Sequence, residues 1–249
     1  MASDLPILIL QTGRPVPSMR RYGGFAHWIR VAAGLARDQV AVVDVEGGAA
    51  LPPADAVRAT IVTGSGAMVT DRAQWSERSA VWLRDAAQAG MPLLGICYGH
   101  QLIAHALGGE VGANPGGREM GTVEIETLAA ASDDPLFRGL PPRFAAQVTH
   151  LQSALALPAG AVPLARSALE PHHAFRWGER VWGVQFHPEF SATHMRGYIR
   201  ARAQPLREEA ADPAAMLAAV RAAPHARTVL RRFAAVCALP PRPAVGERR

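Results

Sequence analysis

Apolar residues along this chain follow two periods. Short continuous runs, PILIL at 6–10, the valine-rich 39–45, the start of 58–70, MPLL at 91–94 and VWGV at 181–184, have the length and saturation of strands covered on both faces. Longer stretches repeat at three and four residues. Residues 24–36, with Phe25, Trp28, Ile29 and Val31, and residues 73–89, with Trp75, Ala80, Val81, Leu83 and Ala86, predict amphipathic helices. LPPAD at 51–55 predicts a turn in which Asp55 caps a helix. Residues 91–109 read as a strand, a tight turn and a helix running through Leu107 to a Gly108-Gly109 stop. Residues 110–180 are strand-rich and irregular, with VEIETL alternating as a half-exposed strand.

The pattern therefore predicts an α/β domain with a parallel sheet over residues 1–190. Residues 191–249 form a helical, Ala- and Arg-rich extension. Its apolar face, Met216, Leu217, Val220, Val229, Leu230 and Phe233, is expected to pack on the outside of the sheet or against a partner. The tail from about 239, PPRPAVGERR, is expected to be disordered.

Composition narrows the class. A chain of 249 residues, 49% apolar and 19% charged, suits one large globular domain. No apolar run approaches bilayer length, and MASDLPILILQTG lacks the basic region of a signal peptide. Two cysteines, Cys97 and Cys237, do not make a disulfide framework, so a reduced cytoplasmic protein is expected. The net charge is +5, and all 26 basic residues are arginine, scattered rather than clustered. That is a compositional bias rather than a nucleic-acid footprint. The lack of lysine excludes a Walker A loop, a lysine Schiff base and a lysine base. No cysteine–histidine spacing suggests a metal.

The chemistry concentrates at two stretches. Gly95 and Gly99 flank Cys97 in a G-x-C-x-G pattern at the end of an apolar strand, which is a nucleophile elbow with sulfur in place of oxygen. The sharp turn needs glycines, and the helix starting at Tyr98 places free N–H groups and a positive end beneath the sulfur, favouring thiolate. The second apolar strand, 181–189, ends in His187-Pro188-Glu189. A histidine past a strand end sits on the rim where open α/β sheets bind ligands, and Glu189 could hold its tautomer.

GICYGHQ followed by VQFHPEF resembles the class I glutamine amidotransferases, and more closely their stand-alone members similar to the glutaminase half of GMP synthase. The resemblance runs from about residue 6 to about residue 190. It implies a three-layer α/β/α sandwich with a mostly parallel, flavodoxin-like central sheet, and a catalytic triad of Cys97, His187 and Glu189. It places one oxyanion-hole donor on Tyr98 and the other in the loop Gly64-Ser65-Gly66, where the family has Gly-Gly-Pro. It assigns substrate contacts to Gln101, Gly66, His150 and Leu151, the last standing where relatives carry glycine. His100 and His105 are expected to be packing or surface residues, and His172 and His173, in a turn before a strand, to be structural.

The implied activity is hydrolysis of the side-chain amide of glutamine through a cysteine thioester, giving glutamate and ammonia for an acceptor on a partner synthase chain. The alternatives are a free-standing γ-glutamyl hydrolase or peptidase with the same triad, and a non-enzymatic ligand- or partner-binding member of the fold. No cofactor, nucleic acid or membrane is implied, and a homodimer is left open.

Overall fold

The structure, a computed structural model, describes residues 5–237. The tail expected beyond 239 lies outside the described residues. The strands are β1 (Ile7–Gln11), β2 (Val40–Asp44), β3 (Ala59–Val62), β4 (Leu93–Ile96), β5 (Glu110–Ala113), β6 (Glu119–Thr127), β7 (Arg143–His150), β8 (Gln152–Ala156), β9 (Ala161–Arg166), β10 (Ala174–Trp177) and β11 (Val181–Val184). The helices are α1 (Phe25–Ala33), α2 (Gln74–Gln88), α3 (Tyr98–Ala106), α4 (Ala192–Ala201), α5 (Ala203–Glu208), α6 (Pro213–Ala219) and α7 (Pro224–Cys237).

Nine strands form one sheet in the order β2-β1-β3-β4-β11-β10-β9-β6-β7, and β5 pairs with β8 in a small antiparallel ribbon. The first five are mutually parallel in the flavodoxin-like order. Beyond β11 the pairings are antiparallel, so β10 and β6 run against the other seven strands and the sheet is mostly parallel in direction.

Successive strand residues point to opposite faces, and both faces are covered. Ile7, Ile9, Ile61, Leu94 and Ile96 pack with Ile29 and Ala32 of α1 and with Val229, Leu230 and Phe233 of α7. Leu8, Leu10, Val62 and Leu93 pack with Leu83 and Ala86 of α2 and with Leu102 and Ile103 of α3. Two covered faces explain why the strand runs are apolar without alternation, and they make the three-layer sandwich.

Three local expectations are corrected. Val31 is 53% exposed and Val81 48% exposed. Each sits one residue, about 100° of rotation, away from a buried position, Ala32 and Ala80, and the true stripes run 25/28/29/32 and 76/79/80/83/86/87. Asp55 caps no helix: it lies inside a single 3-10 turn, Ala54–Ala56, with no side-chain cap.

The chain after residue 190 shares the core of what precedes it. Val229, Leu230 and Phe233 of α7 are fully buried against the sheet. A separate apolar cluster joins Met19, Phe25 and Trp28 to Phe190, Met195, Tyr198 and Val220. No helix among the described residues is long and apolar enough to cross a membrane.

Because Phe233 fills space between α7 and the sheet, Phe233→Ala is expected to destabilise the whole domain by about 3–5 kcal/mol. Chemical denaturation should show one transition moved as a unit. A separate early transition, with the remainder unshifted, would mean that α7 is not part of this core.

Candidate active site

Three neighbouring parallel strands, β3, β4 and β11, deliver the site from their carboxyl ends. Cys97 follows β4 directly, and its N–H donates to the Val184 carbonyl of β11 at 2.9 Å. Its backbone is left-handed in φ, φ 53° and ψ −103°, an unusual conformation for a residue with a β-carbon. The flanking glycines make the turn possible by space rather than by φ. A β-carbon on Gly95 would lie 2.3 Å from the Gly99 carbonyl oxygen, and one on Gly99 would lie 2.5 Å from that of Val62. Cys97 caps the N-terminus of α3, is 6% exposed, and its Sγ lies 3.8 Å from the Thr149 carbonyl.

His187 lies beyond β11, its N–H donating to the Gln147 carbonyl at 2.8 Å. Its Nδ1 meets Glu189 Oε1 at 2.8 Å, and both side chains are buried. The ring stacks on Phe190, with centroids 4.1 Å apart. Nε2 has no hydrogen-bond partner among the described residues, and the ring borders the cavity that Cys97 also lines. Burial alone pushes the imidazole down; the charges of Glu189 and Cys97, and the hydrogen bond to Glu189, outweigh it and raise His187 to about 10.

Gly64, at the end of β3, closes the group. A β-carbon there would lie 3.0 Å from His187 Cε1 and 3.7 Å from Cys97 Cβ, so the loop backbone rests against both side chains. The Gly64 carbonyl is turned inward, accepting from the Thr63 hydroxyl at 2.9 Å and the Thr12 hydroxyl at 3.4 Å. Thr12 is itself bound to Thr63 through N–H to Oγ1 at 3.0 Å and Oγ1 to carbonyl at 2.9 Å. In a trans peptide the N–H opposes the C=O, so the Ser65 N–H points away from this threonine pair. Ser65 Oγ accepts from the Ala67 N–H at 3.0 Å, ordering the turn. Tyr98, the first residue of α3, has a backbone N–H with no intrahelical acceptor. Its ring is buried, its hydroxyl meets Ser76 Oγ at 2.6 Å, and burial raises it to about 12.

The other expected substrate contacts divide. Gly66 and Leu151 line the cleft beside Cys97. Gln101 lines it as well, but both protons of its amide are used, on the Gln152 carbonyl at 2.7 Å and Gln185 Oε1 at 2.9 Å. His150 borders the same cleft with its ring nitrogens occupied elsewhere: Nδ1 on the Gln152 carbonyl at 2.9 Å and Nε2 on Glu119 Oε2 at 3.0 Å. Both partners are acceptors. Burial pushes the Glu119 carboxyl up, but its hydrogen bonds from His150, His173 and Ser167 outweigh burial and hold it well below the usual carboxylate range. His173 Nε2 meets the same Glu119 oxygen at 2.8 Å, and Ser167 donates to the other.

This buried trio, Glu119, His150 and His173, could by proximity hold a metal ion, and here it is joined by hydrogen bonds. Sequence spacing carried no sign of it. His100, fully buried against Phe175 and pushed down to about 3 by burial, is a neutral packing residue.

Two cavities open on Cys97. A narrow cleft of about 60 Å³ runs past Tyr98, Gln101 and Leu151, with Arg118 and Arg202 at its border. A larger one, about 180 Å³, is bordered by His187, Phe25, Tyr198, Arg14, Arg20 and Arg202. A cavity of about 600 Å³ near Trp182 and Arg232 contains none of these residues.

The parallel sheet thus carries a cysteine elbow and a bound histidine–glutamate pair at neighbouring strand ends. The family description "Glutamine amidotransferase class-I" matches residues 22–203, and the chain belongs to that family. It is 43% identical over 119 residues to the glutamine-hydrolyzing GMP synthase of Aeropyrum pernix, covering 48% of this chain and 22% of that protein. It is 40% identical over 112 residues to a glutamine-hydrolyzing GMP synthase subunit of Pyrococcus abyssi, covering 45% of this chain and 57% of that relative. The chain thus spans from a fifth to somewhat over half the length of these relatives. Among solved structures it is similar to a glutamine amidotransferase from Thermotoga maritima (TM-score 0.73, 21% identity, 93% of this chain and 98% of that one). It is equally similar in fold to one from Methylobacillus flagellatus (TM-score 0.73, 22% identity, 98% and 99%).

The raised His187 makes a signed prediction. A group raised on folding stabilises the fold fully below its ordinary value near 6.5, and that stabilisation is lost as pH rises through about 10. Glu189→Gln removes the carboxylate charge, so the His187 ring titration, followed by NMR, should move to lower pH. An unmoved titration would show that Glu189 does not hold the imidazolium.

Proposed function

We propose that this chain hydrolyses the side-chain amide of glutamine, or of a γ-glutamyl compound, through a thioester on Cys97. The observation that supports this most is that one cavity is lined by both Cys97 and His187, with Glu189 bound behind the imidazole. Cys97 Sγ attacks the amide carbon. Its proton is held by His187 Nε2 and passes to the leaving nitrogen as the C–N bond breaks. Glu189 keeps Nδ1 protonated and stabilises the imidazolium. Water, deprotonated by the same imidazole, then attacks the thioester and releases glutamate. The oxygen that becomes negative is met by the N–H groups of Tyr98 and Ser65, the latter held in place through the Thr12–Thr63 grip on the Gly64 carbonyl. Gly66, Gln101, Leu151 and the backbone at His150 shape the cleft for the glutamyl part. A reduced cytoplasmic setting suits the unpaired Cys97.

The relatives named as GMP synthase subunits support delivery of the ammonia to a synthase on another chain. The 180 Å³ cavity beside His187 favours a second reading, a free-standing γ-glutamyl hydrolase, because ammonia needs only about the 30 Å³ share of one water molecule.

Two variants test the proposal. Cys97→Ser is expected to lose at least about 10,000-fold in turnover and to form no thioester by intact mass, with the fold retained. Unchanged turnover would end it. Thr63→Val should lower kcat about 10- to 100-fold with little change in KM, since it loosens a transition-state donor rather than the ground-state site. A rise in KM alone would remove Thr63 from that role.

A further inference from the structure

The two cavities at Cys97 are chemically unequal, and the difference names a substrate class. The imidazole that protonates the leaving nitrogen lines only the larger one, so the leaving group extends into that space while the glutamyl part occupies the narrow cleft. The larger cavity is bordered by Arg14, Arg20 and Arg202, and among the described residues no aspartate or glutamate borders either cavity. Two of the nearby arginines are already neutralised: Arg14 by Asp44 at 2.9 Å and Arg118 by Glu209 at 2.7 and 2.8 Å.

Arg202 is different. It stands at the junction of α4 and α5, its N–H fixed on the carbonyls of Tyr198 and Ile199, and it borders both cavities. Its Nε is buried with no hydrogen-bond partner among the described residues. A buried guanidinium N–H without an acceptor is unfavourable, and a planar carboxylate is the group that satisfies it best.

We propose that the substrate is a γ-glutamyl compound whose leaving amine carries a carboxylate, a γ-glutamyl amino acid or short γ-glutamyl peptide, and that Arg202 selects it by pairing with that carboxylate. This rests on the Cys97 thioester reading and extends it to the leaving group. The γ-glutamyl C–N bond breaks, the proton held by His187 goes to the departing nitrogen, and the amino acid leaves with its own carboxylate intact. One water then cleaves the thioester to give glutamate and the free thiol.

The experiment compares glutamine, γ-glutamylmethylamide and γ-glutamylglycine on the full chain, measuring released glutamate and intact-mass acylation of Cys97. In the unaltered protein γ-glutamylglycine is expected to exceed both others in kcat/KM by about tenfold or more. Arg202→Met should bring the three substrates close to parity, and Arg202→Lys should keep part of the preference. The absence of a preference in the unaltered protein overturns the proposal without reference to any variant. An equal loss on all three substrates in Arg202→Met also overturns it, placing Arg202 on the glutamyl α-carboxylate instead. Acylation by glutamine with no turnover of γ-glutamylglycine removes the leaving-group assignment and leaves the thioester standing. No acylation by any substrate removes both.

Discussion

The parallel ladder of β3, β4 and β11 is the constraint on which the site depends. Register pairs Val62 with Gly95 and Val184 with Ile96, so the three strands end together at one edge. Residues one to three past these ends are then neighbours: Gly64 against the imidazole, Cys97 tied by its N–H to β11, His187 just beyond. A slip of one residue in any strand would turn its side chains to the opposite face and bury the elbow in the wrong layer. The close approach of Gly95 to the Gly99 carbonyl and of Gly99 to the Val62 carbonyl admits no β-carbon. The left-handed backbone of Cys97 is therefore held by packing on both sides rather than by any preference of its own.

Given that geometry, electrostatics determine what the site can do. A buried imidazole is ordinarily neutral. His187 is raised to about 10 because the charges of Glu189 and Cys97 outweigh its burial, and Phe190 stacks on one face of the ring with Phe25 beside it. The aromatic cover keeps water from screening the pair, which strengthens it. A second buried cluster lies in the same sheet, where Glu119 meets both His150 and His173. That trio braces the β7–β8 corner, and the Thr149 carbonyl at that corner faces Cys97. A buried hydrogen-bond network thus fixes the backbone beside the cleft, with both His150 ring nitrogens turned into it.

The strands and the elbow were legible because their physics is local. A buried strand is apolar throughout, and the turn needs small residues at fixed offsets from the cysteine. His187 and Glu189 were legible for the same reason, being attached to the end of one such strand. What escaped was set by tertiary contact. Glu119 and His150 stand 31 residues apart on paired strands, and Glu119 and His173, just before β10, stand 54 apart, so no short window brings them together. His150 reads as a substrate contact from its neighbours in the chain, yet its ring is turned into the trio. Val31 and Val81 were misplaced because apolar character alone does not fix helix phase to better than one residue. After residue 190, Val229, Leu230 and Phe233, read as an apolar face for the sheet, lie in the core on the same side as α1.

That last point bears on how the cavity is made. The segment beyond the second motif brings Tyr198 and Arg202 to the border of the larger cavity, and Glu209 neutralises Arg118 beside the narrow one. The strand ends supply the reacting groups, and the later helices supply the surroundings that a leaving group meets. On the proposed reading, reaction chemistry and selectivity reside on separate parts of the chain. Substitutions in α4 and α5 can retune the charge of the larger cavity without disturbing the ladder that aligns Cys97 with His187. On the proposed reading, release of ammonia alone makes no use of an arginine border on that side, whereas a leaving group that carries a carboxylate is held by it while the C–N bond breaks.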